Sequence, residues 1–303
     1  MKRLISSLFL LVLFFHSGFA QDDSDVIRVN SDLVVLNVTV TSKNGGYVHN
    51  LRRQDFHVFE DDKSQAISTF SLEETSFAAT LLLDTSGSME SRMSLARSAA
   101  ARFLNGLREA DTAAVYHFDS EVVQVQDFST SHDLSDSIYG YGARGMTVLN
   151  DAILQAAKDL NTRAEKRRAI VILSDGEDTR SGASMEKALN AALAVGATIY
   201  AVDMTGADGS GPSLVAGRSA SDRGSIALKA MTAKSGGRYI ASPGGQSMRE
   251  AFEQIIEELS NQYTVGYQPT NKLKDGKWRT IDVKMSDQTV TARTRRGYKA
   301  PKD

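Results

Sequence analysis

The 303-residue chain contains no cysteine, which excludes disulfide bonds, thiol catalysis and zinc sites built on thiolates. Its formal net charge is only −2, so no overall positive field favours nucleic acid as a partner. After the N-terminal segment no apolar run is long enough to span a membrane, so we expect no membrane span in the mature chain.

The first 20 residues have the pattern of a secretory signal peptide. Two basic residues precede the apolar run 4–15, and Gly18 and Ala20 place small side chains just before a cleavage point at Gln21. An uncleaved N-terminal anchor is the alternative interpretation. We therefore expect an exported, soluble mature protein, either periplasmic or secreted.

The mature chain divides by pattern into three parts. Residues 21–75 and 262–303 show short alternating strands and turns, whereas residues 76–261 alternate apolar strands with amphipathic helices. The alternation predicts βαβ crossovers and an α/β fold with a doubly wound, mostly parallel sheet. Neither β-rich end can bury much of a core alone. We therefore expect the two ends to pair in a small β domain beside the α/β domain.

Oxygen-bearing side chains follow the first buried strand of the α/β part. The apolar residues 81–83 run directly into Asp84, Ser86 and Ser88. These would lie in the turn past the carboxyl end of the strand, where ligands bind in open α/β sheets. Hydroxyl and carboxylate oxygens suit a hard divalent cation. The alternative is an N-cap of the next helix, because Asp and Ser are favoured there.

Two further segments point to the same edge of the sheet. Asp175 follows the apolar strand 169–173, and Thr147 ends a glycine-containing loop before a helix that begins near Leu149. If the two strands are neighbours, their carboxyl ends converge and Asp175 lies near Asp84. The glycines would let the backbone of the third loop approach the same point.

In this order and spacing, the segments resemble the metal-ion-dependent adhesion site of the von Willebrand factor type A domain. The resemblance covers about residues 76–261. The flanking pieces resemble a bacterial exported subgroup of proteins related to that family. The motifs that carry this second resemblance are Val-Phe-Glu-Asp at 58–61, Tyr-Thr-Val-Gly-Tyr-Gln-Pro at 263–269 and Arg-Gly-Tyr at 296–298.

The resemblance implies a site for Mg²⁺, or for Mn²⁺ or Ca²⁺, with roles for five residues. Ser86 and Ser88 would ligate the ion directly, and Thr147 directly or through water. Asp84 and Asp175 would hold coordinating waters and orient the serines. Hydroxyl ligands leave such an ion little neutralised, so an Asp or Glu of a protein partner would complete its coordination.

The loop before Thr147 departs from the family pattern. Many relatives carry a second glycine where this chain has Met146, next to Gly145. Met146 would either stiffen the loop or offer an apolar contact to a ligand, and we expect Met146 and Gly145 to contact the partner. The departure therefore bears on the choice of partner more than on metal binding.

Two other functions stay open at this point. A phosphatase-like, metal-dependent hydrolase of the cell envelope would also place an Asp after a strand beside Mg²⁺. It would need a general acid two residues later, where this chain has Ser86. A purely structural role would require a degenerate metal site. We expect a metal-dependent protein-binding or adhesion module that is not an enzyme.

Overall fold

The computed structural model describes residues 33–71, 75–142, 145–205, 220–241 and 245–302. The predicted signal segment, residues 1–20, lies outside these ranges. No helix within them is both long enough and apolar enough to cross a membrane.

Fourteen strands and five α-helices follow one another along the described ranges. The strands are β1 (Val34–Ser42), β2 (Phe56–Glu60), β3 (Lys63–Gln65), β4 (Ile67–Ser71), β5 (Phe77–Asp84), β6 (Thr112–Phe118), β7 (Val122–Ser129), β8 (Arg167–Ser174), β9 (Ala197–Asp203), β10 (Tyr239–Ala241), β11 (Tyr263–Tyr267), β12 (Trp278–Met285), β13 (Val290–Arg293) and β14 (Gly297–Lys299). The α-helices are α1 (Met93–Asn105), α2 (Leu149–Asn161), α3 (Met185–Ala194), α4 (Ala220–Ser235) and α5 (Gly245–Ser260). Short 3₁₀ helices cover Arg53–Asp55, Gly87–Arg92 and Asp136–Gly140.

A six-stranded sheet in the order β10-β9-β8-β5-β6-β7 forms the centre of the molecule. All its neighbouring strands are parallel except β7, which pairs antiparallel with β6 at one edge. Every residue of β5 and of β9 is buried. Their continuous apolar sequences follow from this, because helices cover both faces of a parallel sheet.

The helices divide between the two faces. Helices α2, α3 and α4 share one apolar core with the sheet, and α1 and α5 share the other. On the second face the rings of Phe103 and Phe252 meet edge to face, with centroids 5.9 Å apart. The sheet is therefore doubly wound, and this part of the predicted fold class is confirmed.

The two β-rich ends of the chain form two four-stranded sheets, in the orders β13-β1-β11-β4 and β14-β12-β2-β3. Strand β1 pairs antiparallel with β11 and β13, and β2 pairs antiparallel with β12. The inner faces of both sheets contribute to a single apolar core. Both chain ends thus build one small β-sandwich, as the sequence predicted, because neither end buries such a core alone.

The three flanking motifs meet inside this sandwich. Glu60 is 2% exposed, and its Oε2 accepts hydrogen bonds from the hydroxyls of Tyr267 at 2.7 Å and Tyr298 at 3.0 Å. The half-buried side chain of Arg295, next to the third motif, donates to the carbonyl oxygen of Val35 at 3.1 Å. Buried polar groups are costly unless they are hydrogen-bonded, so this cluster fixes how the strands of the sandwich come together.

A second buried cluster joins the sandwich to the α/β part. Glu258 of α5 is fully buried and accepts a hydrogen bond from the hydroxyl of Tyr200 at 2.9 Å and from that of Thr39 at 3.4 Å. Arg238 lies 3.3 Å from its other carboxylate oxygen, to which Arg293 of β13 also donates. The carboxylate therefore has partners in both parts of the molecule.

Candidate functional site

The neighbouring strands β5 and β8 bring two side chains together at their carboxyl ends. Because Leu83 is in register with Leu173, Asp84 and Ser174 stand next to each other at the edge of the sheet. Asp84 is fully buried. Its Oδ1 accepts the backbone N–H of Ser86 at 2.9 Å, and its Oδ2 accepts the Ser174 hydroxyl at 2.5 Å. The carboxylate is thus fixed by one donor from the segment after β5 and one from the end of β8.

Burial raises the pKa of Asp84 to about 7. Hydrogen bonds from Ser174 and Ser86 oppose this rise, and the negative charge of Asp175 adds to it. A buried carboxylate with a raised pKa gains stability in its charged form from any positive charge placed beside it.

Two hydroxyl groups follow this carboxylate on the same segment of the chain. The Oγ atoms of Ser86 and Ser88 are 3.2 Å apart. Ser86 is buried and extended, with φ −68° and ψ 166°, whereas Ser88 is exposed inside the 3₁₀ helix Gly87–Arg92. The pair therefore joins a buried and an exposed neutral oxygen ligand, next in the chain to the buried carboxylate of Asp84.

The loop that carries Thr147 is attached to this pair through its backbone. The N–H of Gly87 donates to the carbonyl oxygen of Gly145 at 3.4 Å. Thr147 is 3% exposed. Its N–H donates to the Thr179 hydroxyl and its carbonyl oxygen accepts the Thr179 N–H, both at 2.9 Å. These bonds tie the loop before α2 to the loop after β8.

Asp175 reaches the site from the end of β8. It is 3% exposed, and its Oδ1 accepts the backbone N–H of Glu177 at 3.2 Å. Its Oδ2 lies 3.8 Å from the guanidinium of Arg92, which also donates to the carbonyl oxygen of Ser88 at 3.4 Å. Asp175 is thus linked through Arg92 to the segment that holds the serines.

Met146 and Gly145 form an accessible rim beside these groups. Gly145 is exposed with φ +73°, a conformation that favours glycine. Met146 is 52% exposed, and its backbone N–H donates to the Ser120 hydroxyl at 3.2 Å. The loop is therefore fixed by its backbone while the Met146 side chain faces solvent.

The predicted residues are placed at one edge of the sheet with different degrees of contact. Asp84, Ser86 and Ser88 form one hydrogen-bonded group. The segments of Thr147 and Asp175 connect to that group through their neighbours Gly145 and Arg92.

The donor set is unlike a site made of histidines and carboxylates. Within the described ranges, no three His, Cys, Asp or Glu side chains group as metal ligands. The two aspartates and the serine hydroxyls are all hard oxygen donors. Such a set fits Mg²⁺, which prefers oxygen and keeps several of its waters.

Sequence reasoning did not assign roles to Ser174, Thr179 or Arg92. Ser174 directly precedes Asp175, and its position at the end of a buried strand was the available signal. Thr179 and Arg92 lie in polar segments without such a signal. Asp151, four residues after Thr147, accepts the backbone N–H groups of Gly182 and Ala183, both at 2.8 Å. It orders the loop before α3.

A family model described as the von Willebrand factor type A domain matches residues 80–234, slightly more than half of the chain. The chain belongs to the von Willebrand factor type A family. The match runs from within β5 into α4, so this type A domain includes all five predicted metal-site residues.

Several solved structures resemble this type A domain protein. A von Willebrand factor type A protein from Catenulispora acidiphila is 13% identical and aligns over 82% of this chain and 74% of its own, with a TM-score of 0.50. An aerotolerance-related membrane protein from Bacteroides fragilis is 16% identical over 60% of this chain and 98% of its own, with a TM-score of 0.48. The vWF domain of the type V pili tip protein Mfa5 from Porphyromonas gingivalis is 13% identical over 61% of this chain and 95% of its own, with a TM-score of 0.49. No curated protein matches the sequence. At 13% identity, the likeness to the Catenulispora protein shows a shared fold and nothing more.

Proposed function

We propose that this type A domain is a metal-dependent protein-binding module of an exported protein. In this proposal a divalent cation, Mg²⁺ or alternatively Mn²⁺ or Ca²⁺, binds at Ser86, Ser88 and Thr147. Asp84 and Asp175 provide the surrounding negative charge. An Asp or Glu side chain of a protein partner completes the coordination.

The observation that carries the proposal is a pair of adjacent neutral hydroxyls on the segment whose backbone holds a buried carboxylate. The Oγ atoms of Ser86 and Ser88 lie 3.2 Å apart, and the buried carboxylate of Asp84 accepts the N–H of Ser86 at 2.9 Å. When bound, the ion supplies a Lewis-acidic position that attracts an anionic oxygen. The chain's own part is to hold the two hydroxyls close together. It also keeps the carboxylate of Asp84 out of direct contact with the ion, so that the ion stays incompletely neutralised.

The rim beside the site suits a protein partner. Met146 exposes half of its side chain next to Gly145, whose carbonyl oxygen accepts from the N–H of Gly87. An exposed apolar side chain beside a charged binding point favours a partner that presents an acidic residue flanked by an apolar one.

The metal half of the proposal is tested by titrating the mature chain with MgCl₂ and with MnCl₂ in a calorimeter. We expect one bound ion per chain. Asp84→Asn should weaken binding by about 10- to 100-fold, since it removes the charge that supports the ligands. Ser98→Ala on the exposed face of α1 is the matched control and should bind as the wild type does. Folded protein that takes up no divalent ion contradicts the proposal.

The partner half is tested by affinity capture from the cell envelope of the source organism, with and without EDTA. A partner that is retained by the wild type, released by EDTA and not captured by Asp84→Asn supports the proposal. Replacing that partner's acidic residues one at a time should then identify the side chain that completes the coordination. Capture that is insensitive to EDTA contradicts it.

The alternative function, a metal-dependent hydrolase, lacks a proton donor in the required place. Ser86 stands two residues after Asp84, and a hydroxyl does not protonate a leaving group at neutral pH. Assays with p-nitrophenyl phosphate and p-nitrophenyl acetate in the presence of Mg²⁺ separate the two functions. Turnover that is lost in Asp84→Asn would favour the hydrolase.

Export is tested separately from binding. Expression of the full chain in a bacterial host, followed by N-terminal sequencing of the product outside the cytoplasm, should give Gln21 as the first residue. A product that retains its N-terminus and sediments with membranes would instead support the uncleaved anchor.

A further inference from the structure

Arg92 places a positive charge inside the candidate metal site. It is the last residue of the 3₁₀ helix that contains Ser88, so it follows the site serines on the same short segment. Its Nη1 lies 3.8 Å from Oδ2 of Asp175 and donates to the carbonyl oxygen of Ser88 at 3.4 Å. The side chains of Arg92 and Asp175 are only 13% and 5% exposed. The pair is thus shielded from most of the solvent screening that weakens surface ion pairs.

The carboxylate oxygens of the site are not equivalent. Both oxygens of Asp84 accept hydrogen bonds from within the fold, from the N–H of Ser86 and the hydroxyl of Ser174. Oδ1 of Asp175 accepts the N–H of Glu177. Oδ2 of Asp175 is the oxygen that faces the guanidinium. The negative charge of Asp175 is therefore compensated by a residue that belongs to the serine segment.

We propose that Arg92 is a tethered counter-cation that lowers the affinity of the site for its divalent ion. This inference rests on the proposed function, since it assigns Asp175 to the metal site. A divalent ion held with the help of Asp175 shares that carboxylate with the guanidinium and is repelled by it. Arg92 therefore stabilises the metal-free protein and weakens metal binding.

The test compares the Mg²⁺ affinity of the mature wild-type chain with that of three variants, measured by calorimetric titration. Arg92→Gln removes the charge and should bind Mg²⁺ about tenfold more tightly. Arg92→Lys keeps the charge and should stay close to the wild type. Arg102→Gln is the matched control: it removes the same charge from α1, where Arg102 forms an exposed ion pair with Glu253 of α5, and it should bind as the wild type does.

Thermal unfolding provides a second readout that needs no bound partner. In EDTA, Arg92→Gln should unfold at a lower temperature than the wild type and Arg102→Gln, because a nearly buried carboxylate loses its counter-charge. Saturating Mg²⁺ should then raise its unfolding temperature by more than it raises that of the wild type. If Arg92→Gln does not fold, Arg92→Met, which keeps an unbranched apolar stem, takes its place in both measurements.

The outcomes separate this inference from the proposed function. Metal binding by the wild type together with unchanged or weaker binding by Arg92→Gln and Arg92→Met overturns the role of Arg92 and leaves the metal site standing. The absence of divalent binding in the wild type and in every variant overturns both.

Discussion

The buried carboxylate of Asp84 depends on a serine that lies 90 positions away in the chain. Ser174 donates its hydroxyl to Oδ2 of Asp84 at 2.5 Å and accepts the N–H of Gly176 at 2.9 Å. Both Asp84 and Ser174 are fully buried, so no water can replace these bonds without a rearrangement. Ser174 is therefore a positioning residue of the candidate site.

We predict that Ser174→Ala lowers the free energy of unfolding by about 1–3 kcal/mol in EDTA. The change removes the donor to one buried carboxylate oxygen and the acceptor of one backbone N–H. Urea unfolding followed by circular dichroism measures it. The control is Ser98→Ala, which removes a hydroxyl from the exposed face of α1. Equal effects of the two variants would show that the Ser174 hydroxyl does not support Asp84.

His117 lies on β6, the neighbour of β5 on the side away from β8, in register with Leu83. It is 3% exposed, its Nδ1 is 3.1 Å from the hydroxyl of Thr85, and its ring lies against Tyr141 with centroids 3.8 Å apart. Burial lowers the pKa of His117 from its ordinary value of 6.5, and the charges of Asp119 and Glu121 oppose the shift. The folded protein therefore favours the neutral imidazole.

This shift predicts a pH dependence of stability with a definite sign. Below pH 6.5 the unfolded chain takes up the proton more readily than the folded protein. The contribution of His117 is therefore fully present above pH 6.5 and is lost as the pH falls from there towards the lowered pKa. Denaturant unfolding from pH 5 to 8 should show that His117→Asn loses this component.

The pH profile of stability of His117→Asn is compared with that of the wild type, because carboxylates, Asp84 among them, titrate in both proteins. His49→Asn, at an exposed histidine, should keep the wild-type profile. Parallel profiles for the wild type and His117→Asn would contradict the prediction.

At the scale of secondary-structure elements, the start of α4 packs directly on the turn after β8. Gly176 has φ +79°, and a Cβ on it would lie 2.5 Å from the carbonyl oxygen of Gly224. The backbones of Gly176 and Gly224 are therefore in contact next to Asp175. A side chain at this position meets both an unfavourable conformation and a rigid neighbour.

We predict that Gly176→Ala costs about 2 kcal/mol or more of unfolding free energy and also weakens divalent binding, because the turn that places Asp175 must shift. Gly196→Ala is the matched control, since Gly196 has φ +72° but no atom within 4 Å of a Cβ. It should show only the conformational cost, about 1–2 kcal/mol, and normal metal affinity. Normal metal binding by Gly176→Ala would mean that the turn tolerates the shift.

At the scale of the whole molecule, Glu258 is the point where the sandwich and the α/β part share buried polar groups. Its partners come from β1, β9 and β13 as well as from Arg238. A buried carboxylate with such partners leaves uncompensated cations behind when it is removed. The two parts are therefore expected to unfold together.

We predict that Glu258→Ala destabilises the protein by about 3 kcal/mol, the lower end of the range for a buried ion pair, because the side chains of Arg238 and Arg293 are 36% and 33% exposed. The wild type should unfold in a single urea transition. In Glu258→Ala, tryptophan fluorescence and far-UV circular dichroism should instead report two separate transitions. The only tryptophan, Trp278, is in β12 and so reports on the sandwich. Glu253→Ala on the same helix removes an exposed ion pair with Arg102 and should change little. A single unshifted transition in Glu258→Ala would show that the cluster does not couple the two parts.

Several elements were predictable because their signal is local. The apolar strand over 169–173 lies within β8, and the helix expected near Leu149 begins there as α2. Short elements without a pattern of their own were not predicted: β10 and β14 have three residues each and form by pairing with β9 and β12. A strand of that length gains its stability from its neighbours rather than from its composition.

The sequence by itself determined the class of fold and the segment that carries the candidate site. Alternating apolar strands and amphipathic helices require a covered parallel sheet, and Asp84, Ser86 and Ser88 stand within five residues of each other. Only the tertiary structure decided which distant groups surround them. Ser174 reaches Asp84 because β8 lies next to β5, and Arg92 reaches Asp175 because the loops of those strands converge. Strand order and register are properties of the packed sheet, so no local pattern in the chain encodes these contacts.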